Sequence, residues 1–375
     1  MVSNMPKSLG SLKLLLIIVP IMLSGLVSIS NFGVNDQLFH KQLIWIIISI
    51  LTFIALSRIN YDWIKTTNFV MIFYIMSLIL LTLTVLLGKV VKGSQAWISL
   101  GFASFQAADF AKLVLIILLA KYFSKRHVEI GNIRHILVSG VYAFIPFALI
   151  MLQPDLGSGL VILSIWGAMV LVSGIQLRHL ALVLGFAAAS FALAWVLLFA
   201  PYQKSRILNF IDPLRDVRGS GYNAYQSIIA VGNGGPTGTG VGYGTQSRLN
   251  YLPEHQTDFI FAAFAEEWGF VGAAALLLLI TIMLVYFIYL GYVAKSNFET
   301  LFTYGVVFWF ITHTTVNVGM NLGLLPVTGL PLPFMSYGGS HLLSETVAAA
   351  MVMGMSSTRK SIHRSKADTE IAGLA

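Results

Sequence analysis

Apolar runs long enough to cross about 30 Å of hydrocarbon recur along the chain near residues 12–31, 39–57, 66–88, 107–123, 135–152, 156–174, 178–200, 258–293, 300–323 and 339–357. Their length and helical spacing predict an all-α polytopic membrane protein of about ten transmembrane helices, forming one domain over residues 1–375. The fourth, fifth and sixth runs are the shortest or most interrupted. One connection departs from the pattern. Residues 201–257, between the seventh and eighth helices, are long and polar, and carry Tyr202, Tyr222, Tyr225, Tyr243 and Tyr251. Loops of that length are functional or disordered, and this density of aromatic side chains argues for order. A second departure is "MNLGLLPVTGLPLPFMSYGGSH" at 320–341, apolar yet interrupted by Pro326, Pro331 and Pro333. A re-entrant segment or broken helix reads this way. Such backbone is stable at membrane depth only where protein or a wet cavity satisfies it.

Composition agrees with the pattern. The chain is 57% hydrophobic and only 10% charged, against about 25% charged in soluble domains. No cysteine is present, which excludes disulfides, thiol nucleophiles and cysteine-ligated metals. The net charge of +8 calls for no nucleic-acid partner once its distribution is considered. An even helix count puts both termini on one side. That side collects Lys7, Lys13, Arg58, Lys65, Lys121, Lys125, Arg126, Arg134, Arg178, Lys295, Arg359, Lys360, Arg364 and Lys366. The short loops opposite hold only Lys41, Lys89 and Lys92. The positive-inside rule makes the first side cytoplasmic and the long loop extracellular. The lysine-flanked first run resembles a signal peptide but is followed at once by further spans, so it is expected to remain as an uncleaved helix.

The stretch "LPEHQTDFIFAAFAEEWGF" (252–270) carries carboxylates into a membrane helix, where an unpaired charge costs several kcal/mol. Asp258 stands at the helix start, where it or Thr257 can cap the first turn or serve chemistry. Glu266 and Glu267, two turns deeper, either line a hydrated path or accept hydrogen bonds from neighbours; the structural role is the favoured one. On the fourth helix, "FQAADFAKLVL" sets Asp109 and Lys112 at i,i+3, where they can pair. The turn "MLQPDLGS" adds Asp155 on the same outer side. His313, His341 and Glu345 read as isolated helix–helix contacts. The glycines of "GNGGPTGTGVGYG" (232–244) lack the spacing and strand–loop–helix setting of a nucleotide-phosphate loop, although glycine backbone still allows close approach to a ligand such as a lipid-linked diphosphate. Polar chemistry from four separate stretches therefore meets at the outer membrane surface. An outward-facing enzyme without ATP requires an activated substrate, and a sugar on a polyprenyl diphosphate suits both membrane and loop. Cations offset a leaving diphosphate; Lys112, Lys204, Arg206, Arg215, Arg218 and Arg248 are available. A positioned carboxylate takes the acceptor proton.

Several motifs resemble those of the SEDS (shape, elongation, division and sporulation) peptidoglycan glycosyltransferases. They are "LPEHQTDFIFAAFAEEWGFVG", "NLGLLPVTGLPLPFMSYGGS", "LQPDLGSG" and "GYNAYQSIIAVGNGG", and the resemblance runs over essentially the whole chain. The wording is closer to the elongation-type member than to the division-type one. The resemblance implies polymerisation of lipid II into a lipid-linked glycan strand at the outer face of the bacterial cytoplasmic membrane, with undecaprenyl diphosphate released. It makes Asp258, in the family's T-D-F-I-F motif, the catalytic residue. Together with the charge and placement read above, this leaves Lys112, Asp109, Arg206, Arg248, Asp155 and Ser336 as the substrate-binding candidates. The resemblance also implies a class B penicillin-binding protein as partner. The family's fourth helix carries Q-P-S-E-x-x-K; here Gln106, Ala107, Ala108, Asp109 and Lys112 stand instead, with proline lost and the acid shortened. A divalent cation, magnesium or manganese, is expected only beside paired diphosphates, because no metal-ligand cluster is legible in the sequence. The rival readings are a lipid II flippase, for which midplane ions and inverted repeats are expected, a division-type polymerase, and a non-catalytic scaffold.

Overall fold

The computed structural model describes residues 7–30, 36–67, 69–91, 94–99, 104–125, 133–174 and 220–357, with the isolated positions 179, 185, 204, 208 and 210. Nine of the ten expected spans appear as helices: α1 (Lys7–Ser30), α2 (Asp36–Leu56), α4 (Phe69–Leu87), α5 (Ala107–Ser124), α6 (Ile133–Leu152), α7 (Leu156–Val172), α10 (Ile260–Tyr292), α11 (Asn297–Asn321) and α12 (Gly339–Ser357). The short α3 (Asp62–Thr66) precedes α4. Apart from positions 179 and 185, the span expected at 178–200 lies outside the described residues. Within the long connection, α8 (Ser220–Gly234) and α9 (Thr245–Arg248) are helical.

Not all of the described chain is helical. Three short strands, β1 (Lys89–Val91), β2 (Ser94–Ser99) and β3 (Ser104–Gln106), form an antiparallel sheet between α4 and α5. Trp97 pairs with both Lys89 and Gln106. The alternation that specifies these strands extends over too few residues to stand out between two apolar runs.

Burial explains which helices tolerate polar residues. Among the described residues, five helical stretches are long and apolar enough to cross a membrane, in α1, α2, α4, α6 and α10. Among these, α4 leaves Ile72, Ile75, Ile79, Leu86 and Leu87 exposed, a stripe that faces lipid in a membrane protein and needs no protein partner. By contrast α5 and α11 are the centre of the bundle. Helix α11 packs against α5, α7, α10 and α12, and α5 packs against α4, α7 and α11. Thirteen of the eighteen residues of α5 are buried, Asp109 and Lys112 among them. Helices enclosed by protein can carry ions provided these are paired.

At 33 residues, α10 would run about 50 Å if straight, well beyond the hydrocarbon. It is broken at Gly269, whose φ of 66° is open chiefly to glycine. A break frees backbone groups, and the glycine-rich 232–244 segment takes them up. Thr239 N donates to Glu266 O at 3.0 Å and Gly240 N to Glu267 O at 3.1 Å. In return, Phe270 N donates to Gly235 O at 2.8 Å and Val271 N to Pro236 O at 3.1 Å. The glycines are required because the two backbones touch: a Cβ on Gly238 would lie 2.0 Å from Glu267 O.

Candidate active site

Asp258 sits just before α10. The helix begins at Ile260 with Phe259 at the N-cap position, so Asp258 stands one residue ahead of the cap. Thr257 directs its hydroxyl backwards instead, to Glu254. The chain enters through a tight turn at Glu254, whose φ is 57°; Thr257 N and Phe259 N both donate to Glu254 O at 3.1 Å.

Three successive carbonyls of this segment are held from outside. Tyr337 N donates to Gln256 O at 2.9 Å. Ser336 Oγ donates to Thr257 O at 2.8 Å. Asp258 O accepts from Asn317 Nδ2 at 2.9 Å and from Asn321 Nδ2 at 3.1 Å. Asn321 also accepts from Ala262 N and Asn317 donates to Leu330 O, so both asparagines tie the start of α10 and the last loop to α11. The backbone is thus fixed on both sides while the Asp258 side chain remains half-buried. Gly329, with φ 76°, lies alongside; a Cβ there would sit 3.4 Å from Asp258 Oδ2. Glycine leaves that flank of the carboxylate open.

Burial acts on two titratable neighbours of this segment. His255, two residues before Thr257, is buried, and burial holds its imidazole below the ordinary value. Tyr337, half-enclosed, is raised by the same cause.

The other sequence-derived candidates fall into distinct places. Ser336 is 2% exposed and spends its hydroxyl on the fold, accepting from Leu332 N at 2.8 Å as well as donating to Thr257. Asp155 is the N-cap of α7, accepting from Ser158 N at 3.0 Å and from Gln106 Nε2 at 3.3 Å. Lys112 and Asp109 pair at 2.9 Å, each 1% exposed, so the ammonium is enclosed rather than presented to a bound diphosphate. Arg248, at the end of α9, is exposed, with Nη1 donating to Gly242 O at 3.4 Å. Arg206 lies outside the described residues, as do Arg215 and Arg218.

Glu266 and Glu267 have the structural role. The Glu266 carboxylate accepts from Thr245 Oγ1, Gln246 N, Ser247 N and Ser247 Oγ between 2.9 and 3.3 Å. Glu267 accepts from Gly242 N at 2.9 Å. Both carboxylates pin the glycine-rich segment and α9 against the break in α10. Gly234 and Gly238 accordingly approach the backbone of α10, at Ala265 O and Glu267 O.

One grouping is not isolated as expected. His341 Nδ1 lies 3.4 Å from Asp109 Oδ2, and its Nε2 lies 2.9 Å from Glu345 Oε1. His313 Nε2 is 3.5 Å from Lys112 Nζ. The i,i+4 spacing of His341 and Glu345, and of His313, Asn317 and Asn321, is the available sequence signal. It shows that each set shares a helix face, not that the faces meet.

With the geometry in place, comparison with known proteins is decisive. Residues 5–361 match the cell cycle protein family that groups FtsW, RodA and SpoVE. The chain belongs to this family. It is 35% identical over 345 residues to "Probable peptidoglycan glycosyltransferase FtsW" of Haemophilus influenzae, covering 87% of this chain and 84% of that one. It is 36% identical over 293 residues to "Peptidoglycan glycosyltransferase MrdB" of Escherichia coli, covering 78% and 79%. A solved structure described as "Structural coordination of polymerization and crosslinking by a peptidoglycan synthase complex" superposes with a TM-score of 0.80 at 29% identity, over 93% of this chain and 98% of that chain. The SEDS resemblance drawn from the motifs is therefore the family itself. The chain is a multi-pass membrane protein of that family.

Proposed function

We propose that this chain is a peptidoglycan glycosyltransferase that joins lipid II units into glycan strands, and that Asp258 is its catalytic base. The observation that carries the reading is the treatment of residues 256–258: every carbonyl is anchored to a neighbouring element, and the half-buried Asp258 carboxylate stands beside Gly329. Preorganisation of this kind is what proton abstraction needs. Asp258 accepts the proton of the acceptor sugar hydroxyl as that oxygen attacks the anomeric carbon of the donor. The carbon–oxygen bond to the diphosphate breaks, and undecaprenyl diphosphate leaves with the electron pair. Arg248, exposed on the same long connection, and Arg206 are the candidates for the diphosphate.

A divalent cation is not assigned to the protein. Among the described residues the one trio of close ligand atoms is His313, His341 and Glu345, fully buried. Magnesium and manganese favour oxygen ligands and retain water, so two imidazoles in a closed interior do not fit. The lysine and arginine distribution orients both termini towards the cytoplasm and the Asp258 end outwards, where lipid II is polymerised. Elongation-type wording in the last loop favours a role in cell elongation, and the likeness to a peptidoglycan synthase complex favours a class B penicillin-binding protein as partner. The test is direct: the purified protein, given labelled lipid II and no other polymerase, forms glycan polymer. Absence of polymer with intact, folded protein would remove the assignment.

A further inference from the structure

Beneath the Asp258 segment lies a buried chain of ionisable groups that the reaction above does not use. Asp109 and Lys112 come from α5, His313 from α11, and His341 and Glu345 from α12; none is more than 4% exposed. The two nitrogens of His341 each face a carboxylate oxygen, Asp109 Oδ2 at 3.4 Å and Glu345 Oε1 at 2.9 Å. A ring nitrogen that presents a lone pair to a carboxylate is repelled by it, whereas an N–H is attracted, so this bracketing calls for hydrogen on both nitrogens. Neither contact is aligned as a hydrogen bond, which leaves charge as the main attraction. His313 is accounted for as a neutral ring: Nδ1–H donates to Pro331 O at 3.1 Å, and Nε2 faces the Lys112 ammonium at 3.5 Å.

We propose that His341 is a buried imidazolium and a positioning residue for Asp258, balancing Asp109 and Glu345 so that the network holds the last loop in register. Two anions and two cations then share a dry interior with no net charge, the condition under which such groups are tolerated there. The path to the site is continuous. Glu345 Oε2 accepts from Phe334 N at 2.8 Å, and His313 holds Pro331 O. These grip the loop on either side of Leu332, whose N–H donates to Ser336, and Ser336 in turn donates to the carbonyl before Asp258. A metal ion is the competing occupant of this cluster. The rings of His313 and His341 stack at 5.1 Å with planes only 20° apart. A metal sits in the plane of each ligating imidazole, and nearly parallel stacked planes do not meet at such a point.

The inference rests on Asp258 being the base, but its first test does not. The purified protein is compared with His341→Gln, Glu345→Gln and the double variant by thermal unfolding in detergent. His341→Gln strands two carboxylates on one lysine and should lower Tm by several degrees or more. Glu345→Gln should cost less, because the histidine can release its proton. The double variant should resemble Glu345→Gln alone, recovering most of the loss even if His341→Gln scarcely folds. Additive losses, or a His341→Gln variant as stable as the parent, would overturn the charge balance. So would stoichiometric metal co-purifying with the parent and lost in His341→Gln. Nitrogen-15 spectra of labelled histidine should show His341 protonated at both ring nitrogens at neutral pH; one bare nitrogen would overturn it. For positioning, His341→Gln assayed while folded should lose kcat at least tenfold with KM for lipid II little changed, and the double variant should regain it. An unchanged kcat would end the positioning role. A parent without polymerase activity would instead end the reading of Asp258, while the unfolding cycle still reports on the network.

Discussion

Gly329 leaves one flank of the Asp258 carboxylate open, and a single methyl group can probe how much that matters. An alanine there would touch Oδ2 at 3.4 Å without overlapping it, so steric conflict is small. The strain comes from φ at 76°, which costs an alanine about 1–2 kcal/mol. Gly329→Ala should therefore unfold a few degrees earlier, while lipid II polymerisation falls by between about tenfold and 10²-fold, the scale of a small misplacement at a reacting group. Initial rates of polymer formation, compared with melting curves of the same preparation, check this; parental rates would mean the flank is not used. At this scale the sequence was informative about identity and silent about partners. Asp258 stood out because a carboxylate before an apolar helix demands explanation. Asn317 and Asn321, which hold its backbone, carry no charge and gave no comparable signal, and Ser336 was marked as a substrate contact rather than as a tether of the backbone. Lys112 read both as a partner of Asp109 and as a contact for a diphosphate, because sequence does not reveal how far α5 is buried.

Helix α10 illustrates what is decided between elements. Its apolar run suggests one long span, yet Gly269 breaks it and the 232–244 segment completes its hydrogen bonding. The glycines of that segment were legible as sites of close approach, but the approaching partner, a helix from further along the chain, was not. The break makes unequal demands on the glycines. Gly238, at φ 85°, has Glu267 O 2.0 Å from its absent Cβ, whereas Gly232 has nothing within 4 Å. Gly238→Ala should cost about 3 kcal/mol or more through combined overpacking and backbone strain. Gly232→Ala, inside α8, should be neutral or stabilise by up to about 1 kcal/mol. Thermal unfolding of the two variants side by side measures the contrast, and equal effects would show that the segment does not pack against the break. The sheet between α4 and α5 escaped the sequence for a related reason: strands of three to six residues yield too little periodicity.

For the whole molecule, hydrophobic patterning predicted the number and position of the spans well because the requirement is a matter of length and apolarity. Nine of the ten were met by described helices, and α5, α11 and α12 were recovered although the polar residues they carry make them less apolar than the helices facing lipid. Orientation follows from the loop charges alone and has its own check. Ser247 is buried against Glu266, whereas Tyr243, 70% exposed, is accessible. Since the chain has no native cysteine, Tyr243→Cys provides one thiol for a membrane-impermeant maleimide. Intact cells, permeabilised only in the outer envelope where one exists, should label. Labelling solely from the cytoplasmic face would reverse the orientation. Asp258 stands on backbone held by two elements, α11 and the last loop, and the last loop is in turn gripped by the buried ionisable cluster. The central claim is that Asp258 acts chemically, and Asp258→Asn tests this with the least disturbance. The amide keeps the size of the side chain and the backbone carbonyl bonds to Asn317 and Asn321, and removes the base. Positioned acid–base groups contribute about 10²–10⁴-fold in rate, so polymer formed from labelled lipid II should fall by that factor while the unfolding temperature stays near the parental one. An equally stable Asp258→Asn protein that polymerises lipid II at the parental rate would contradict the account.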